Sequence, residues 1–228
     1  MSESKYHNID YNNAIQLVRS RLIEYQPRRI HQQGIRNAAV LVLFLKRESD
    51  EPNLLFTKRT DLVETHKGQI SFPGGMADPA DEDLLMTALR ETEEEVGIGS
   101  ENIEPLGRLD DFYTVTNFII SPFAGSINGK FQYKINHQEV AEVLEVPLAL
   151  FLTDNYFEIK KWEYKGMKFD VYFYHYKNNV IWGATAFILN RFIHNVFEYN
   201  PAPKPITEDP RNILYLTENK NRNSQDKI

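Results

Sequence analysis

The chain has no cysteine. A disulfide framework, a thiolate metal centre and a cysteine nucleophile are therefore excluded, and the composition fits a reducing compartment. Long apolar runs are missing as well. The longest, AAVLVLFL at residues 38–45, falls far short of the roughly 20 residues a membrane-spanning helix needs. The opening residues MSESKYHNIDYNN contain no basic stretch followed by an apolar one, so no secretory leader is read and a cytoplasmic location is expected. Excess positive charge is absent too: 26 Lys and Arg stand against 32 Asp and Glu, a formal net charge of -6. That balance argues against nonspecific duplex nucleic acid or an anionic membrane as the main partner.

What is present is an ordinary globular composition, 42% hydrophobic and 25% charged over 228 residues, enough for a generous core. Residues 11–25 carry Ile15, Leu17, Val18, Leu22 and Ile23 at near-helical spacing before Pro27, which predicts an N-terminal helix. Its basic neighbours Arg19, Arg21, Arg28 and Arg29 have no accompanying aromatic pattern and are read as solvated. Residues 38–45 predict a strand buried on both faces. Further strands are expected at 54–58, 69–72, 103–108, 112–116, 118–121 and 123–127, and a hairpin within 156–176 turning at Lys165-Gly166. Residues 139–151 read as a turn followed by a short helix, and 182–197 as an amphipathic helix. Residues 1–33 are taken as an N-terminal extension, 34–200 as the main domain, and 201–228 as a tail whose polar end is expected to be disordered.

The chemistry concentrates in residues 68–98, GQISFPGGMADPADEDLLMTALRETEEEVGI. On a helix, Glu91, Glu94 and Glu95 share about 100° of arc, while Leu85, Ala88, Leu89, Thr92 and Val96 form a separate packing stripe. Glu91 and Glu95 are a like-charged i,i+4 pair, which destabilises a helix by about 0.2–0.5 kcal/mol. Arg90 can pair with Glu94, but one guanidinium cannot neutralise four glutamates. A solvated acidic face would account for a charge run alone. Clustered carboxylates are also the donor set of hard divalent cations, and Gly74 and Gly75 would let the backbone approach a metal or phosphate where a side chain could not.

This run resembles the Nudix box, a glycine, five residues, Glu, seven residues, then Arg-Glu, an apolar position, any residue, Glu-Glu, any residue, Gly and an aliphatic residue. Arg90, Glu91, Glu94, Glu95, Gly97 and Ile98 match; Thr92 takes the apolar position; Glu82 lies eight before Arg90, and Gly75 stands one residue earlier than the general spacing. A box of this length is similar to that of the subfamily acting on coenzyme A. Its upstream signature is matched at Leu55, Phe56, Thr57, Lys58, Arg59, Gly68 and Phe72 to Gly75, with Thr60 in place of serine and Glu64 where the signature has arginine.

The resemblance implies an α+β Nudix fold, a mixed sheet in an α/β/α sandwich with an added N-terminal helix. It implies Mg²⁺- or Mn²⁺-dependent hydrolysis of the pyrophosphate bond in a nucleoside diphosphate derivative, coenzyme A or an acyl form first. Glu91, Glu94 and Glu95 with the Gly75 carbonyl would hold metal. Arg90 would orient Glu94, and Arg59, Thr60, Lys67, Gln69, Phe72 and Gly74 would meet substrate. The base is Glu91 or a later carboxylate, Glu139 or Glu142, each equally readable as a surface charge. His66 is read as a loop residue in an oxygen-rich site. Alternatives are the same chemistry on ADP-ribose, NADH or a dinucleoside polyphosphate, a non-catalytic nucleotide sensor, and an RNA decapping enzyme. A homodimer is left open, and no membrane or nucleic-acid partner is expected.

Overall fold

The computed structural model describes residues 3–46, 49–62, 67–114, 116–127, 131–164 and 167–202. Glu64, His66, the Lys165-Gly166 turn and most of the tail expected from residue 201 lie outside them. The first helix, α1 (Tyr11–Ile23), starts at Asp10, whose carboxylate accepts the Asn13 amide, the usual satisfaction of an orphan N–H. Its buried face is Tyr11, Ala14, Ile15, Val18 and Leu22.

Strand β1 (Arg36–Lys46) is the spine of a mixed sheet. Because successive side chains alternate faces, its apolar run feeds two cores. Ala39, Leu41, Leu43 and Leu45 join one cluster, which also takes Ala88, Leu89 and Val96 from α2 (Leu84–Val96). Val42 and Phe44 join the other, with α1 and α4 (Gly183–Phe197). Burying each such leucine contributes roughly 1.5–3 kcal/mol, and Leu41, Leu43 and Leu45 are completely buried. Helices therefore cover both faces of the sheet, as an α/β/α sandwich requires.

The remaining strands are β2 (Pro52–Arg59), β3 (Ile70–Ser71), β4 (Gly74–Met76), β5 (Ile103–Arg108), β6 (Phe112–Tyr113), β7 (Phe118–Ile127) and β8 (Val140–Pro147). The order is β3-β2-β1-β7-β5, with β8 on β2, β6 on β7 and β4 on β1. Only β1 and β7, among these pairs, run parallel. One edge of β1 meets β2 at Phe44 to Lys46 and β4 at Ala38 to Val40. The sheet thus splits between β1 and β2. Chain from β3, paired to Thr57 and Lys58 of β2, crosses that split through Phe72 and Pro73 to reach β4.

Several expectations change. Residues 139–151 form mostly strand β8, followed by α3 (Leu148–Phe151); Val140, Leu144 and Val146 are buried, and the whole length pairs with β2. The expected strands at 118–121 and 123–127 are one strand, because Pro122 sits where β7 passes from β6 to β5. Its carbonyl still accepts the Leu109 amide, and no donor is needed at that junction. The strand expected at 112–116 is only β6. The expected hairpin is β9 (Phe157–Tyr164) and β10 (Met167–Tyr176), joined by β11 (Asn179–Trp182) into a three-stranded sheet. Phe157 and Tyr174 from that sheet are buried against α4. Among the described residues, no helix is long and apolar enough to cross a membrane.

Candidate active site

Helix α2 lies over the split in the sheet. Asp83 caps its start by accepting the Met86 amide, and Gly97 ends it in a left-handed conformation. Thr92, the odd residue on its packing stripe, is fully buried and donates its hydroxyl to the Ala88 carbonyl at 2.7 Å, so its polarity is satisfied.

Glu95 is 3% exposed and accepts a hydrogen bond from the Thr57 hydroxyl of β2 at 3.0 Å. Burial pushes its carboxyl up to about 8, against the opposing pull of Thr57 and of Arg59. Glu91, one turn earlier, is also raised by burial, with Arg90 opposing. A methyl group added at Gly75 would lie 2.4 Å from the Glu91 carboxyl carbon; only glycine lets β4 pass this close to the carboxylate. At Gly74 an added methyl would sit 2.2 Å from the Ala39 carbonyl oxygen, at a φ of +150°. That glycine is required by the β1–β4 crossing itself.

Arg90 has a different principal partner from the one expected. It reaches Glu94, at 3.2 Å, but its fork is engaged by Asp81, Nε to Oδ1 at 2.9 Å and Nη2 to Oδ2 at 3.1 Å. The same guanidinium donates to Glu91 at 2.9 Å and to the Met76 carbonyl at 3.0 Å. Asp81 is held well below the usual carboxylate range by Arg90, and Arg90 is held firmly protonated. The clamp ties β4, the 77–83 turn and α2 together. Glu82, which the box spacing selects, is exposed. The signal for Asp81 was there: it is the acid six residues after Gly75, the general spacing.

The late-loop candidates separate. The loop after residue 131 is fastened to the end of α2, where the Lys134 amide donates to the Val96 carbonyl and the Asn136 amide to the Glu95 carbonyl, at 2.9 and 3.0 Å. It brings Glu139 near enough to raise both Glu91 and Glu95 electrostatically. Glu142 lies on β8 opposite Lys58 and faces that ammonium at 3.8 Å.

Of the residues expected to meet substrate, Arg59 belongs to the site. Its Nε is buried without a hydrogen-bond partner, and its charge favours ionised Glu95. Its backbone holds the 59–69 turn closed, pairing with Gln69 and Gly68. Thr60 is 8% exposed; its hydroxyl accepts the Leu62 amide and its own amide donates to the Glu139 carbonyl, fixing Glu139 to the same turn. Lys67 is exposed and Gln69 half-buried. Phe72 is 1% exposed and stacked on Phe56 at 4.7 Å. Its ring belongs to the core, not to a ligand surface.

Among the described residues, no three carboxylate or imidazole groups converge closely enough to hold a metal ion by themselves. Arg90 stands between Glu91 and Glu94, and Glu95 turns to Thr57. The donors are nonetheless those of a hard cation: buried Glu95, half-buried Glu91 that adds to its upward shift and lies against the bare backbone of Gly75, and Glu94 on a side chain 56% exposed.

A profile of the NUDIX domain matches residues 35–165. The chain is 35% identical over 170 residues to a Nudix hydrolase named NudL from Photorhabdus laumondii, covering 75% of this chain and 89% of that one. NudL from Yersinia pestis is 37% identical over 161 residues, 71% of this chain and 80% of the relative. Among solved structures, the NUDIX domain of Shewanella oneidensis NrtR complexed with ADP ribose matches at 22% identity and a TM-score of 0.41, covering 56% of this chain and 80% of that one. On the strength of the domain match and of relatives identical at more than a third of the aligned positions, the chain belongs to the Nudix family and is a Nudix hydrolase.

Proposed function

We propose that this Nudix hydrolase cleaves the pyrophosphate bond of coenzyme A or an acyl-coenzyme A. Water is consumed, and 3′,5′-ADP and 4′-phosphopantetheine or its acyl form are released. The observation that carries the chemistry is the half-buried Glu91 carboxylate against the bare backbone of Gly75, one turn from the buried Glu95, with both carboxyls raised. Two such groups beside a polyanionic substrate need a cation between them. Glu91, Glu94, Glu95 and the Gly75 carbonyl would hold Mg²⁺ or Mn²⁺, which when bound supplies charge neutralisation and a more acidic water.

The chain's own residues do the rest. Asp81 and Arg90 fix Glu91 against β4, and Thr57 fixes Glu95. Glu139, on the loop fastened to α2, would accept the proton of the attacking water; Glu91 is the other candidate. Arg59, with its unpaired buried Nε, would meet substrate phosphate, as would exposed Lys67. Residues 34–200 would form the hydrolase, with 1–33 as an extension and 201–228 as a tail.

Coenzyme A is favoured by the matched signature at Leu55 to Thr60, Gly68 and Phe72 to Gly75. Phosphate release coupled to a phosphatase, compared across coenzyme A, acyl-coenzyme A, ADP-ribose, NADH and a dinucleoside polyphosphate, tests the substrate. Absence of preference for the coenzyme A group would refute it. Glu94→Gln with Glu95→Gln tests the chemistry: hydrolysis should fall by about 10³ or more at saturating Mg²⁺, and a double variant as fast as the parent would refute the site.

A further inference from the structure

Strand β2 sets a row of side chains under α2. Leu55 joins the apolar cluster that packs against the helix. Two residues on, past the stretch of β2 that pairs with β1 and opposite β3, stands Thr57. Its backbone is held from both sides, opposite Ser71 of β3 and Val143 of β8, and the residue is 1% exposed. A β-branched side chain is stiff at its first torsion, so the strand, not the helix, sets the direction of the hydroxyl. Valine has nearly the same shape and suits a buried strand position equally well. What threonine adds is one donor, and that donor is given to Oε2 of Glu95 at 3.0 Å.

That contact decides which oxygens remain for a cation. Among the described residues, Oε1 of Glu95 has no hydrogen-bond partner. Glu91 is treated in the same way: Arg90 donates to its Oε1 at 2.9 Å and leaves Oε2. Each of these two carboxylates therefore enters the site with one oxygen committed to the protein and one open. A carboxylate that offers a single oxygen suits Mg²⁺, which is small, demands octahedral geometry and keeps several waters. Ca²⁺ is larger, gathers about 6–8 oxygens and takes carboxylates through one oxygen or both. At Glu95 a grip through both oxygens competes with the Thr57 hydroxyl, which is fixed in the strand and cannot follow the carboxylate.

We propose that Thr57 is a positioning residue that sets the choice of cation: by holding Oε2 of Glu95, it favours Mg²⁺ and Mn²⁺ over Ca²⁺. The inference rests on the metal-site reading above and extends it to a side chain that acts on the cation only through Glu95.

Cation binding to the full chain without substrate tests it, with Mn²⁺ affinity read from the electron paramagnetic resonance of the free ion and Ca²⁺ affinity from displacement of Mn²⁺. Both cations compete with the same proton at Glu95, so the ratio of their affinities does not follow its titration. Thr57→Val keeps the shape and removes the donor, and it should move the Mn²⁺-to-Ca²⁺ affinity ratio toward Ca²⁺ about tenfold. Thr57→Ser restores the hydroxyl and should keep the parent's ratio. In a Glu95→Gln background the valine substitution should leave the ratio unchanged, because the carboxylate through which it acts is gone. If the valine variant fails to fold in urea titration, Thr57→Ala carries the same expectation. A ratio unmoved by loss of the donor, while Glu95→Gln alone weakens Mn²⁺ binding, overturns the assignment and leaves the metal site standing. A shift of equal size in the Glu95→Gln background also overturns it, since the effect is then one of packing. A parent that binds no Mn²⁺, or a Glu95→Gln variant that binds it as tightly as the parent, overturns the metal-site reading and this assignment with it.

Discussion

Removing the divalent cation should expose the cost of burying Glu95, and the metal-free protein should lose stability as pH rises. In the folded chain this carboxyl is pushed up from 4.5 to about 8; in the unfolded chain it titrates normally. Between those two values folding takes up a proton, so the contribution of Glu95 to stability is greatest below about pH 4.5, falls through the window, and levels off above about pH 8. At about 1.4 kcal/mol per pH unit, the full fall is on the order of 5 kcal/mol, a large part of the total stability of a typical domain. Glu91 is shifted in the same direction and adds to it. Glu95→Gln removes the titration while keeping an acceptor for the Thr57 hydroxyl. Urea unfolding in a chelator, run from about pH 5 to about pH 9 on parent and variant, measures the difference directly. The parent should fall by several kcal/mol more than the variant, and saturating Mg²⁺ should flatten the parent's curve by favouring the ionised form. Parallel pH profiles for the two metal-free proteins would refute the electrostatic account of this site.

Other perturbations separate packing from chemistry. Gly75→Ala must displace the Glu91 carboxylate, since its methyl would lie 2.4 Å from the carboxyl carbon; kcat should fall about 10²-fold with little change in melting temperature by calorimetry. Asp81→Asn takes from Arg90 its principal charged partner, leaving Glu91 and Glu94, and kcat in the phosphate-release assay should drop about tenfold or more, as losses of supporting contacts do. Phe72→Ala should destabilise the fold by about 3–5 kcal/mol in urea titration, while the folded fraction keeps the parent's KM. A raised KM without loss of stability would return Phe72 to the substrate surface.

The readable features of the sequence were those written in short-range spacing. Glu91, Glu94, Glu95 and the apolar stripe of α2 lie within a few turns of one helix, and β1 announces itself as an uninterrupted apolar run. What depends on the folded path was not readable. The spacing from Gly75 marks Asp81 but not its partner: it meets Arg90 because the Asp78 amide bonds to the Asp81 carboxylate and closes a turn before α2. Residues 139–151 carry apolar groups at intervals a helix also tolerates; the free edge of β2 decides for strand by offering ladder hydrogen bonds along its whole length.

The loop that delivers Glu139 is also the cap on the last carbonyls of α2, through Lys134 and Asn136. Those carbonyls would otherwise have no partner inside the helix. Loop and helix end therefore open together or not at all. A ligand that engages Glu139 should slow amide exchange at Gly97, Lys134 and Asn136, so that occupancy of the site is reported by the backbone of the helix end and of the loop that caps it.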